Sequence, residues 1–173
     1  MRPQEAVREI EARLTAAGCP DADFDARELF RLVTGADLRL ADQPLTAAQA
    51  DRLETLTVRR ADREPLQYLC GSWPFLDFEL AVGPGVLCPR ADTEVVAEAA
   101  AGLLAGVQKP KVLDLCAGTG CLGLGVKRFC PDAVVTSLEK SPEAFRYLEQ
   151  NAKNPLHRLA ATPVQGDLFT YWE

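Results

Sequence analysis

Glycines at 118, 120 and 123 follow a short apolar run, Val112-Leu113-Asp114-Leu115, and precede a helical pattern, with Cys116, Ala117 and Thr119 filling the gap. Glycine lets a backbone turn sharply and approach a ligand where a Cβ would collide. The helix that begins there offers free N–H groups and the positive end of its dipole to a polar or anionic group. Glu139 closes the next apolar run, at a position where a carboxylate can accept both ribose hydroxyls of a nucleoside. Together these residues can bind a nucleoside-containing cofactor. A glycine turn in any α/β domain, with Glu139 merely solvated, is the plain alternative. It loses weight because the turn lies between strand and helix and is paired with a well-placed acid.

Two cofactors fit that turn. Gly118-x-Gly120-x-x-Gly123 satisfies the dinucleotide fingerprint, which keeps a nicotinamide-dependent oxidoreductase open as a rival. Asp114 favours the other. A carboxylate beside the turn repels a pyrophosphate and attracts the ammonium and sulfonium of S-adenosylmethionine.

The elements that must hold these residues follow from periodicity. Lys111 onward reads strand, glycine turn, helix, strand, helix, strand, with Pro131 ending one helix and Ser141-Pro142 opening the next. Val164 opens a third strand. Such alternation implies a parallel sheet with right-handed crossovers. In front of it, Asp92 or Thr93 is expected to cap a helix whose inner face is Val95, Val96, Ala99, Leu103 and Leu104. Trp73 to Leu87 alternates partially around Phe75, Phe78, Leu80 and Val82 and reads as a hairpin or extended linker. Its aromatic residues are expected to pack within that linker. The first 70 residues read as short helices: Val7, Ile10, Leu14 and Ala17 before Gly18, then Asp23 to Thr34 before Gly35. A third helix opens at a Thr46/Gln49 capping box, and a short one carries Leu66 and Leu69 after Pro65. The fold class is thus α/β: a small helical bundle over 1–72, a hairpin linker over 73–91, and the first half of a Rossmann-like domain over 92–173.

Composition closes off several functions. The apolar fraction of 47% supplies a core, and the net charge of −6 with no basic stripe disfavours nucleic acid as a partner. No apolar stretch approaches the roughly 20 residues that span a bilayer, and no signal-peptide core follows Met1, so a cytoplasmic protein is expected. Cys19, Cys70, Cys88, Cys116, Cys121 and Cys130 form no C-x-x-C pair, so no metal site is expected and the thiols are read as small buried hydrophobes. His157, the one histidine, is expected on an exposed loop after Asn154-Pro155 without a catalytic role.

Longer motifs narrow the reading. Arg63-Glu64-Pro65-Leu66-Gln67-Tyr68-Leu69-Cys70-Gly71 resembles the R-x-P-x-Q-Y-x-x-G signature of the HemK/PrmC family, the N5-glutamine methyltransferases of peptide chain release factors. Val86 to Glu94 is similar to its V-L-I-P-R-x-(D/E)-T-E segment, and Val112 to Gly120 to its V-L-D-L-x-x-G-(T/S)-G. Glu139-x-Ser141-x-x-Ala144 resembles its D-x-S-x-x-A.

The resemblance implies an N-terminal helical domain that docks a release factor, a hairpin linker, and a class I methyltransferase domain using S-adenosylmethionine. It places cofactor contacts at Asp114, Cys116, Ala117, Gly118, Thr119 and Gly120, the ribose at Glu139, and the adenine beside Asp167 and Leu168. Cys116 stands where the general motif has its first glycine. Arg90 is either near the active-site mouth or a solvated linker residue. The family's Asn-Pro-Pro-Tyr motif, which follows its fourth strand and holds the substrate amide, occurs nowhere in these 173 residues. The expectation is therefore most of a cofactor site, no catalytic residue, and an inactive segment. Its alternative role is a non-catalytic release-factor-binding module. With the fourth strand missing, the edge of Val112 to Leu115 is expected to be open to pairing with a second copy.

Overall fold

The computed structural model describes residues 1–171; Trp172 and Glu173 lie outside the described residues. Two units divide the chain between Cys70 and Gly71.

The first unit holds α1 (Pro3–Ala16), α2 (Ala22–Thr34), α3 (Ala47–Ala61) and the single turn α4 (Leu66–Cys70). Gly18 and Gly35 end the first two helices at φ of 74° and 72°, a left-handed conformation costly for any residue with a Cβ. At the start of α3, Gln49 N–H donates to the Thr46 hydroxyl and Thr46 N–H to the Gln49 side-chain oxygen, at 3.2 and 3.0 Å. The apolar stripes then meet: Val7, Ile10 and Leu14 of α1, Ala26, Leu29 and Phe30 of α2, and Leu53 and Leu56 of α3 are all buried. Unforeseen from sequence is an ion pair inside this core. Arg60 on α3 donates to Asp25 on α2 at 2.8 Å, with both side chains largely buried, and also to the carbonyl of Glu64.

The second unit opens on a hairpin, β1 (Ser72–Phe75) antiparallel to β2 (Phe78–Ala81). Its residues do not stand apart as a linker. Phe75, Phe78 and Leu80 are buried in one cluster with Leu124, so the hairpin is part of this unit's core. Burial on this scale stabilises by about 1.5–3 kcal/mol per large apolar side chain.

α5 (Ala91–Leu103) corrects the sequence reading twice. Arg90 occupies the N-cap without a side-chain cap, in place of Asp92 or Thr93. Most of the expected inner face is turned to solvent: Val95, Val96 and Leu103 are 67%, 51% and 86% exposed, Leu104 is half-buried, and Ala97 is the helix's buried residue. The cause is a close helix crossing. A Cβ built on Gly125 of α6 (Cys121–Phe129) would lie 2.8 Å from the Ala97 Cβ, so a small residue must face the contact and the valines rotate away.

β3 (Lys111–Leu115), β4 (Val134–Glu139) and β5 (Thr162–Gln165) form a parallel sheet in the order β3-β4-β5, with Leu115 beside Leu138 and Glu139 beside Gln165. α6 and α7 (Pro142–Ala152) make the crossovers. Ser141 caps α7, its hydroxyl accepting from Ala144 N–H at 3.3 Å. Among the described residues the outer edge of β3 carries no strand. The cysteines are less buried than expected: Cys19 is buried, Cys116 is exposed, and the other four lie between, because Cys116 sits on the turn rather than under it.

Candidate functional site

A parallel sheet gathers the chain segments that follow its strands along one edge, and ligands bind at that edge. Here those segments are Cys116–Gly120, Glu139 and Asp167-Leu168. The first turns tightly. Cys116, Gly118 and Gly120 all have positive φ, at 57°, 57° and 81°, and Gly120 N–H donates to the Ala117 carbonyl at 2.7 Å. Ala117 N–H donates to the Leu138 carbonyl at 2.9 Å, which docks the turn on β4. Glu139 then reaches back: one carboxylate oxygen accepts from Gly118 N–H and the other from Ser141 N–H, each at 2.8 Å. Turn and acid, 21 residues apart, are thus one constellation. A carboxylate offers about four lone-pair positions, so two backbone donors leave room for ribose hydroxyls.

The two glycines at the centre of the motif are required for different reasons. Gly118 has room for a Cβ, which would meet the Val86 side chain at ordinary contact distance, 3.8 Å. At Gly120 a Cβ would come within 2.6 Å of Leu148 on α7. Gly118 fits a backbone that meets a ligand; Gly120 is glycine because a helix packs on it.

Asp114 lies beneath the turn. It is buried, and one carboxylate oxygen accepts from Gly123 N–H at 3.0 Å and from the Ser137 hydroxyl at 3.4 Å. It ties the first turn of α6 to the sheet, and burial pushes its carboxyl pKa above the ordinary value. Ala117 and Thr119 are also buried, while Cys116 projects outward. Asp167 pairs with Lys140 at 2.7 Å, which holds its carboxyl below the usual range, and Leu168 is half-buried beside it. Arg90 is exposed at the head of α5.

His157 departs from expectation. Its ring packs against Phe78 at 5.3 Å, its Nδ1 accepts from Leu159 N–H at 3.1 Å, and burial lowers its pKa. Together with Leu76, Phe78, Glu79 and Asn154 it lines a cavity of about 530 Å³ that takes in no residue of the turn. The residue that sequence reasoning missed is Asn151. It is completely buried on α7 and hydrogen-bonded both to β2 and to the glycine turn. Its one visible signal is a polar side chain in phase with Ala144 and Leu148 on the apolar face of α7.

A helix-flanked parallel sheet with a glycine turn and an acid at the end of its second strand is common to domains that bind nucleoside-containing cofactors, and the methyltransferase small domain matches residues 84–173. Ahead of it, the PrmC N-terminal domain matches residues 5–71. The chain belongs to the HemK/PrmC family of methyltransferases. It is similar to the release factor glutamine methyltransferase of Bifidobacterium longum, 36% identical over 154 residues that cover 84% of this chain and 52% of that relative. The protein of the same name from Deinococcus radiodurans is 37% identical over 174 residues, covering 98% of this chain and 62% of the relative. That from Geobacter sulfurreducens is 38% identical over 128 residues, covering 74% and 44%. The chain spans about half the length of the curated relatives it matches.

Proposed function

We propose that this chain carries the S-adenosylmethionine site of an enzyme that methylates the side-chain amide of the glutamine in the Gly-Gly-Gln loop of peptide chain release factors. The observation that carries the reading is the bond from Gly118 N–H to Glu139, which joins the glycine turn to the acid along one sheet edge. Cys116 to Gly120 would cradle the methionine part, Glu139 the ribose, and Asp167 and Leu168 the adenine. When bound, the cofactor supplies a methyl group on a sulfonium. Asp114 holds Gly123 from below through one carboxylate oxygen, and its carboxylate is the proposed contact for the ammonium of the methionine part. None of these residues is assigned to catalysis. The helical unit over residues 5–71 is the proposed dock for the release factor.

The test is titration calorimetry with S-adenosylhomocysteine. Each charge-assisted hydrogen bond to Glu139 contributes about 1.5–3 kcal/mol, so Glu139→Ala should weaken binding roughly 10- to 150-fold per bond lost. An unchanged dissociation constant would remove Glu139 from the site. Tight binding of NAD in place of S-adenosylhomocysteine would replace the reading with the dinucleotide one.

A further inference from the structure

Asn151 stands in none of the sequence motifs, yet its side chain meets partners far apart in the sequence. Its Oδ1 accepts from Ala81 N–H at 2.7 Å, and its Nδ2 donates to the Ala81 carbonyl at 3.1 Å. Those two bonds are the pair that a neighbouring strand residue would exchange with Ala81, so the side chain completes the edge of β2. The second hydrogen on Nδ2 serves the Thr119 carbonyl, inside the glycine turn, at 3.0 Å. An amide has one acceptor oxygen and two N–H donors, and here all three kinds of contact are made at zero exposure. Aspartate lacks the donors, and an apolar residue would leave two carbonyls and an N–H without partners.

The hairpin so held runs directly into the segment that roofs the turn. After Ala81 come Val82 and Gly83, and Val86 sits against Gly118. Tyr147, one helical turn before Asn151 on the same face of α7, closes on this segment too: a Cβ at Gly83 would lie 2.3 Å from its hydroxyl. One helix face therefore sets the floor of the turn through Thr119 and its roof through the hairpin.

We propose that Asn151 is a positioning residue that locks the hairpin and the glycine turn together, so that filling the turn is felt at β2. This rests on the reading of that turn as the cofactor site. Ala81 has no place in the candidate site, which makes its amide a clean reporter.

Amide hydrogen exchange of the whole chain, with and without S-adenosylhomocysteine, tests the coupling. In the unsubstituted protein the ligand should slow exchange at Ala81 by about 10-fold or more, a value on the scale of one buried hydrogen bond. Asn151→Ala should abolish that response and weaken S-adenosylhomocysteine about 10-fold relative to Leu80→Ala, a core deletion in the same hairpin that removes no bond to the turn. An Ala81 amide indifferent to bound ligand overturns the proposal with no variant needed. Equal affinities of the two variants overturn it as well. If the unsubstituted chain takes up no ligand, the cofactor reading fails. The coupling is then judged on the free chain, where Asn151→Ala must speed exchange at both Ala81 and Gly120. Acceleration at Ala81 alone ends the proposal.

Discussion

The two units solve the problem of buried polarity in opposite ways. In the helical unit, Asp25 and Arg60 form a charged pair inside a core that otherwise closes on itself, a device that fixes how α2 meets α3. In the sheet unit three buried polar residues, Asp114, Ser137 and Asn151, are bonded to backbone or to one another around the glycine turn, and a fourth, Thr119, lies within that turn. Polarity in the first unit serves packing between two helices. In the second it serves the shape of a loop. The contrast extends to the surface. α5 leaves Val95, Val96 and Leu103 in solvent, whereas the long helices of the first unit bury their main apolar stripes.

The sharpest way to break this comparison is to remove one charge. Arg60→Ala strands Asp25 in the core, and losing one member of a buried pair costs about 3–5 kcal/mol. Urea unfolding should show the first unit destabilised by that amount. A loss under about 1 kcal/mol would class the pair with exposed ones. Replacing both residues by apolar ones of similar size should restore most of the stability.

Next in size is a contrast inside the turn. Gly120→Val forces a branched side chain into Leu148 at a φ of 81°, combining overpacking of about 1–3 kcal/mol with a left-handed penalty of about 1–2 kcal/mol. Thermal melts should show the second unit losing cooperativity. Gly118→Val carries the backbone penalty alone, so it should keep its circular dichroism and lose S-adenosylhomocysteine. Equal melts for the two variants would erase the distinction drawn between these glycines.

The smallest effect concerns Asp114. Its carboxyl is raised in the folded protein by burial, so the folded state holds the proton more tightly than the unfolded one. The stability this gives is present below the ordinary carboxylate pKa of about 3.9 and is lost as pH rises through the folded value. Asp114→Asn keeps an acceptor for Gly123 N–H without the charge. Its stability relative to the unsubstituted protein should therefore grow between about pH 4 and pH 7, measured by urea midpoints. A difference that stays constant over that range would mean Asp114 titrates as an exposed acid.

Local signals in the sequence were strongest where they were local in physics. Gly18, Gly35, the Thr46/Gln49 box and Ser141-Pro142 act on their own neighbours, and the helices start and stop where those residues say. The turn after β3 was legible for the same reason, since a strand running through glycines into a helix repeats a fixed geometry, whereas the bond from Gly118 N–H to Glu139 joins residues 21 apart. What stayed hidden depends on distant partners. Val95 and Val96 are apolar at helical spacing, but Gly125, far along the chain, draws Ala97 into the contact and excludes them. Asp25 is buried only because it pairs with Arg60, 35 residues later. Asn151 has its partner in the hairpin, 70 residues earlier, and nothing in its own neighbourhood points there.

Glu139 carries a consequence for the heat of binding. Both of its oxygens already hold backbone N–H groups while the turn is free, so the segment needs no ordering when a ligand enters. Association with a preformed site has a heat capacity change set by the apolar surface the ligand covers. It lacks the larger decrement that accompanies a segment folding on its partner. The carboxylate acts before any ligand arrives, by keeping the turn in the shape that binding requires.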